Sequence, residues 1–271
     1  MERRFLAAAV QLAAGPDKQA NLDTVERLAR RAAEEGASLV VLPEVCFWRG
    51  ERAQERAAAE PIPGPTTDRL AALALALGIH LVGGSILEQI PGAPKVFNTS
   101  PLFDPSGTLR ACYRKVHLFD VDIAAHVSVR ESDTRAHGGE TVVVPTQLAT
   151  IGLSVCYDLR FPELYRRLAD AGAEIICVPS AFTFPTGAAH WEVLLRARAI
   201  ENQAYVIAPN QIGRSPAGVA DYGHSLIVDP WGIPLACAPN GERVIVGEID
   251  LDYLDQVRRE LPSLAHRRLG R

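Results

Sequence analysis

Three polar residues stand where apolar runs end, and their types suit attack on a carbonyl carbon. Glu44 follows Leu39-Val40-Val41-Leu42-Pro43, Lys115 lies within Cys112-Tyr113-Arg114-Lys115-Val116-His117-Leu118-Phe119, and Cys156 closes Ile151-Gly152-Leu153-Ser154-Val155. α/β proteins build their sites at such strand ends. A free thiol with a pKa of ~8.5 is mostly protonated at neutrality. A nearby ammonium favours the thiolate, and a carboxylate can accept the thiol proton. Attack on an amide also builds negative charge on oxygen, which a lysine and a backbone N–H can stabilise. Together the three residue types supply what cysteine-mediated amide hydrolysis requires.

Each residue alone has a plainer explanation: an exposed loop carboxylate, a solvated lysine, an inert buried cysteine. Cys177, in Ile175-Ile176-Cys177-Val178, shows that last case, apolar on both sides. Cys156 differs, because Pro162 suits the first turn of a helix shortly after it. A thiol at a strand-to-helix turn can be exposed, with free N–H groups of the turn facing a reacting oxygen. Other chemistries lack their motifs: no G-x-S-x-G, P-loop, G-x-G-x-x-G or H-E-x-x-H is present. The seven histidines show no metal-ligand pairing, so neither metal nor cofactor is expected. A Cys–His pair with His190 or His224 as the base stays open.

The elements that must position these residues alternate between short apolar runs and helical patterns. Strands are expected at 5–12, 39–42, 79–82, 174–178, 204–209, 225–228 and 244–249. Residues 21–35 carry helical spacing (Leu22, Val25, Leu28, Ala29, Ala32) up to Gly36, and 67–77 form a helix stopped by Gly78. Segments 97–103 and 109–113 flank Asp104-Pro105-Ser106-Gly107, turn chemistry that predicts an antiparallel hairpin. Residues 140–144 and 147–156 form another strand pair, while 162–171 and 188–203 are helical. Mixed parallel and hairpin connections imply an α/β protein with helices outside a sheet core. No linker, low-complexity tract or repeat divides residues 1–271, so a single domain is expected.

Composition narrows the setting. The chain has 271 residues, 48% of them hydrophobic, which suffices for one large core. A net charge of −4 gives no electrostatic reason to expect nucleic acid or an anionic membrane as partner. Arg27-Leu28-Ala29-Arg30-Arg31 is followed by Glu34 and Glu35 and reads as a solvated helix face. Five scattered cysteines without a C-x-x-C pair suit a reducing cytoplasm. Arg3-Arg4 before an apolar run resembles a leader, but Gln11 interrupts that run early and a core strand is the expectation. The Ala/Leu-rich segment 70–84 contains His80 and falls short of the ~20 residues of a membrane span, so a soluble protein is expected.

Val41-Leu42-Pro43-Glu44, Tyr113-Arg114-Lys115-Val116-His117-Leu118-Phe119 and Val155-Cys156-Tyr157-Asp158-Leu159-Arg160-Phe161-Pro162-Glu163-Leu164 resemble the three signature segments of the nitrilase, or carbon–nitrogen hydrolase, superfamily. They keep the family's order and comparable spacing, and the resemblance runs from about Phe5 into the C-terminal region. It implies a four-layer α-β-β-α sandwich of the nitrilase-like type, assembled as a homodimer that packs sandwich against sandwich. It also implies roles. Glu44 is the general base and later acid, Lys115 the oxyanion stabiliser together with the Tyr157 backbone N–H, and Cys156 the nucleophile. Glu131, in Arg130-Glu131-Ser132-Asp133, is the second glutamate that helps position the substrate and Lys115. Ala124-Ala125-His126 and His137-Gly138 replace Pro-Gly-containing turns of relatives, which leaves the loop around Glu131, and hence substrate size, open.

Cys156-Tyr157-Asp158 resembles the amidase branches rather than true nitrilases, which typically place Trp-Glu after the cysteine. Segment 179–203, with Tyr222-Gly223-His224-Ser225 and Val228-Asp229-Pro230-Trp231-Gly232, is similar to the Nit-type group, which includes deaminated glutathione amidase and the ω-amidases. Leu261-Pro262-Ser263-Leu264-Ala265-His266-Arg267-Arg268 leans toward the former. The partner implied is a small-molecule amide carrying a 2-oxo carboxylate, so the pocket should offer a cation. Arg160 is the expected one, because a guanidinium pairs bidentately with a carboxylate. Thr186 and His190 are further expected substrate contacts. A structural salt bridge of Arg160 with Asp158, Glu163 or another acid is the alternative. An N-carbamoyl hydrolase and a non-catalytic scaffold with this fold are the competing readings.

Overall fold

The strand Arg4–Gln11 is buried on both faces: Ala7 and Ala9 point one way and Ala8 and Val10 the other, all fully buried. Strand Ala37–Val41 repeats the pattern, with Leu39 and Val41 opposed to Val40. A strand buried on both faces needs cover on both. On one face the cover is helical, from Leu22, Val25 and Leu28 of Lys18–Glu34 and Leu70, Leu73 and Ala74 of Pro65–Leu77. On the other it is a second sheet, so that Ala7, Ala9, Leu39 and Val41 share one cluster with Ile151, Leu153, Ile176 and Val206.

The computed structural model describes residues 3–123, 127–215 and 218–269. Its first sheet runs in the order Arg243–Asp250, Arg4–Gln11, Ala37–Val41, His80–Val82, Val96–Phe103 and Ile86–Gln89, with Leu109–Arg114 and Arg135–Ala136 also paired to Val96–Phe103. The second runs Val142–Pro145, Thr150–Leu153, Ile175–Cys177, Tyr205–Ala208, Leu226–Val228 and Pro234–Cys237. Helices Pro162–Asp170 and Phe184–Asn202 add Leu164, Tyr165, Leu168, Trp191 and Leu195 to its core. The layering is the α-β-β-α sandwich that the sequence implies.

Most expected elements are present with ends shifted by one to three residues. The hairpin about residues 104–107 is antiparallel, with Asp104 Oδ1 accepting from the Ser106 and Thr108 amides at 2.9 and 3.1 Å. The long helix begins at Phe184 rather than 188, because Pro185 in its first turn lacks only an N–H that has no helical acceptor there. Elements beyond the expected set include strand Ile86–Gln89, the antiparallel ribbon of Asp120–Ile123 with Val127–Arg130, strands Arg135–Ala136 and Pro234–Cys237, and helices Glu55–Ala58 and Leu251–Glu260. The unusual Ala124-Ala125-His126 lies outside the described residues. No described helix is long and apolar enough to cross a membrane.

Gly84 ties this framework to the loop that carries Glu44. Its φ is +58°, and a Cβ there would sit 2.1 Å from the Pro43 carbonyl oxygen and 2.9 Å from Cys46 Sγ. Gly84→Ala therefore combines a left-handed residue with displaced backbone, and should cost about 2 kcal/mol or more. Urea denaturation checks this; an unchanged midpoint would show that the Pro43 segment yields freely.

Candidate functional site

Four strand ends converge on one cavity. Leu42-Pro43 carries Ala37–Val41 into Glu44, and Lys115 directly follows Leu109–Arg114. Cys156 opens the short turn Cys156–Arg160 beyond Thr150–Leu153, and Glu131 opens the turn Glu131–Asp133 after the ribbon. All four line a cavity of about 340 Å³, a volume within the range of small-molecule sites. None shows the exposure usual for a loop residue of its type: Glu44 and Glu131 are 3% exposed, Lys115 2% and Cys156 6%.

Lys115 is the hub. Its Nζ donates to Glu44 Oε1 at 2.8 Å and to Glu131 Oε2 and Oε1 at 2.9 and 3.2 Å. Glu44 Oε1 also accepts from Asn98 Nδ2 at 2.8 Å, and Oε2 from the Ala181 amide at 3.0 Å. Glu131 accepts from the Phe119 amide at 2.7 Å and pairs with Arg135, which binds Glu55 at 2.7 Å in turn. Burial works against the ammonium, yet Glu131 and Glu44 outweigh it and hold Lys115 above the usual lysine range. Burial likewise opposes charge on Glu131, and Lys115 with Arg135 draws that carboxyl down to about 2.

Cys156 sits at φ +49°, its N–H bonded to the Pro179 carbonyl at 2.9 Å. Burial and then the Glu44 charge push its thiol well up, with Lys115 and the Ala181 N–H opposing. The resting sulfur therefore carries its proton beside a carboxylate. As an amide in the first turn, Tyr157 N–H has no intrahelical acceptor, and none is found for it among the described residues. Asp158, fully buried, locks the turn. It accepts from Val155 N at 2.8 Å, Tyr113 Oη at 2.7 Å and His117 N at 3.0 Å, and contacts His117 Nδ1 at 2.7 Å. The segments bearing Cys156 and Lys115 are thus tied to one carboxylate.

The expected substrate contacts divide. Thr186 lines the cavity, its Oγ1 2.8 Å from Thr183 Oγ1. Arg160 does not line it; the guanidinium lies over the ring of Phe182, which does line it, 5.1 Å from the centroid, and 3.2 Å from His190 Nδ1. Arg160 makes no ion pair with Asp158 or Glu163 among the described residues, because Asp158 is committed to Tyr113 and His117. His190 is exposed and His224 Nδ1 turns to the Tyr222 carbonyl, so neither partners Cys156 in this cavity. His137-Gly138 packs against the hub: Gly138 N donates to the Lys115 carbonyl at 2.8 Å. Among the described residues no cluster of three metal-ligating side chains occurs.

Sequence reasoning missed Asn98, Arg135, Glu55 and the Ala181 amide. The one available signal was Asn98-Thr99-Ser100, a polar run inside an expected core strand. It also missed the cavity-wall ion pair of Arg49 with Asp221, whose second contact is 2.8 Å.

Two back-to-back sheets with a thiol, an ammonium and two carboxylates gathered at their strand ends define the nitrilase-like class of hydrolase. The chain belongs to the carbon–nitrogen hydrolase family, whose model matches residues 6–259. It is 44% identical to deaminated glutathione amidase from Homo sapiens over 97% of this chain and 82% of that protein. It is 40% identical to omega-amidase NIT2 from Xenopus tropicalis over 98% and 95%. The C. elegans NitFhit crystal structure superimposes with a TM-score of 0.91 at 38% identity, covering 98% of this chain and 65% of that longer one.

Removing the Asp158 carboxylate strands several buried donors at once. Asp158→Ala should destabilise the protein by about 3–5 kcal/mol. Guanidinium unfolding measures it, and a loss below about 1 kcal/mol would mean these bonds are replaced locally.

Proposed function

We propose that the protein is an amidase hydrolysing a small linear carboxamide through a thioester on Cys156. The observation that carries this reading is the presence of Cys156, Glu44, Lys115 and Glu131 on the wall of one cavity. Glu44 takes the Cys156 proton as sulfur attacks the carbonyl carbon, so a thiol that rests protonated still acts as nucleophile. Lys115 and the Tyr157 N–H hold the tetrahedral oxygen. Glu44 then protonates the leaving amine and later activates water against the thioester. Glu131 keeps Lys115 charged and in place. These steps call for neither metal nor cofactor.

Deaminated glutathione is the first substrate candidate and 2-oxoglutaramate the second, following the relatives named for those activities. In this reading Thr186 contacts substrate, while Arg160, backed by His190, turns past the cavity-lining Phe182 to supply the cation for the 2-oxo carboxylate. A cytoplasmic setting fits five free cysteines. A homodimer is supported by an exposed apolar patch in which Ile200, 49% exposed, lies against Gly232, with Val193, Trp231 and Ile233 51–67% exposed around it. Val193→Glu with Ile200→Glu should halve the mass found by sedimentation equilibrium; a monomeric wild type would remove the proposal.

The central test is chemical. With a slow amide substrate, intact-protein mass spectrometry should show an acyl adduct on the wild type and none on Cys156→Ala, whose turnover should fall by at least about a thousandfold. Near-normal turnover in Cys156→Ala sinks the reading, and carbon dioxide released alongside ammonia would instead mark an N-carbamoyl hydrolase. Arg160→Met should weaken turnover of 2-oxo acid amides more than that of neutral amides; equal losses would remove its assigned role.

A further inference from the structure

We infer that Asn98 is a positioning residue that orients the Glu44 carboxylate, reserving Oε2 of that group for the Cys156 proton. The inference rests on Glu44 being the base. Asn98 lies in strand Val96–Phe103, fully buried, and does not line the cavity, so it acts through its neighbours rather than on substrate. Its side chain touches two of the four polar groups assigned to the reaction, and its backbone is bonded to a third residue, Lys115. Its Nδ2 donates to Glu44 Oε1 at 2.8 Å and reaches Glu131 Oε1 at 3.5 Å, while its backbone carbonyl accepts from the Lys115 backbone N–H at 2.9 Å. The opposite amide orientation would point an oxygen at two carboxylates, so the donor assignment is fixed by chemistry.

The two oxygens of Glu44 are thereby made unequal. Oε1 is taken by Lys115 and Asn98 together. Oε2 has only the Ala181 amide at 3.0 Å, and that same N–H also acts on the Cys156 sulfur. With two donors on Oε1 and one on Oε2, Oε2 is the oxygen with spare acceptor capacity. Lys115 alone is a poor anchor for this geometry, because its ammonium is shared with Glu131 and rotates freely among acceptors. A planar amide held in a sheet fixes direction as well as distance.

Acid dependence provides a readout that packing alone would not move. The titratable and charged groups facing Glu44 are Lys115, Cys156, Glu131, Arg135 and Asp221, the last held by Arg49. Substituting Asn98 removes none of these groups, and beyond Glu44 it takes away only a 3.5 Å contact to Glu131. Losing a donor that favours the carboxylate form should shift the acid limb of kcat/KM upward.

The experiment measures kcat, KM and the pH profile on 2-oxoglutaramate and deaminated glutathione for wild type, Asn98→Ala, the isosteric Asn98→Asp, and Glu44→Gln, each checked for a native melting transition. Asn98→Ala should lose about 10- to 100-fold in kcat, the range of one hydrogen bond to a charged group. Its KM should change by less than about threefold and its acid limb should rise by about half a pH unit or more. Asn98→Asp keeps the shape but sets a third acid against Glu44 and Glu131, so its kcat should fall further. Should Asn98→Ala not fold, Asn98→Ser is read in its place with the same expectations. An unchanged kcat and acid limb in a folded variant, or a loss confined to KM, overturns the role of Asn98 while an inactive Glu44→Gln leaves the base assignment standing. An active Glu44→Gln overturns both.

Discussion

One ammonium between two carboxylates, all three out of water, is the constraint on which the rest of this structure depends. The Lys115, Glu44 and Glu131 side chains are 2%, 4% and 5% exposed. An isolated ion in such a place costs several kcal/mol even after the protein relaxes. No member can be charged there without the others. The arrangement is extended by Arg135 and Glu55, and two peptide N–H groups, from Phe119 and Ala181, take up remaining carboxylate lone pairs. Ala181 follows the second sheet, whereas Glu44 and Lys115 come from the first. Satisfying the buried charges therefore fixes how the two sheets meet at this end.

The same cluster separates one buried cysteine from another. Cys156 and Cys177 both lie inside the protein, and burial pushes both thiols upward. At Cys177 burial is the only influence. At Cys156 a carboxylate, an ammonium and an amide N–H all act on the sulfur. What distinguishes them is neighbours, not exposure. Burial first and the Glu44 charge second both favour the protonated thiol at rest.

How much of this is legible in the sequence follows from the range over which each feature is encoded. Glu44, Lys115 and Cys156 stand out because apolar strands announce their own ends locally. Helix Lys18–Glu34 is equally local, its buried stripe written in the spacing of Leu22, Val25 and Leu28. Asn98 escaped because its meaning lies in a contact with a residue 54 positions away, across strands whose pairing no local pattern specifies. Arg135 is invisible for the same reason, bound to Glu55 from 80 positions distant. Helix Leu251–Glu260 is a different failure. Its Asp250 cap and its apolar Leu251, Leu254 and Val257 were present to be seen, but they directly follow a strand with no breaker between them. Arg160 was proposed on charge alone, and its stacking on Phe182 could not be read from the chain.

The backbone bears part of the burden of assembling the charges. Val45 and Cys156 adopt φ of +47° and +49°, a region costing an L-residue roughly 1–2 kcal/mol; for β-branched Val45 it is a true outlier. One directly follows Glu44, and the other carries the thiol of the cavity wall. Each is held by hydrogen bonds from outside its own loop: Val45 N–H to Ser85 Oγ at 2.9 Å, and Cys156 N–H to the Pro179 carbonyl at 2.9 Å. An extended residue at either point would carry the strand onward and leave its functional side chain in the sheet. The sharp turn instead ends the strand and aims the side chain into the cavity. Strain of this kind persists only where surrounding contacts over-determine it. Here those contacts include the Lys115–Glu44 bond itself, so the ion cluster and the two strained turns stabilise one another, and neither can be described as the scaffold of the other.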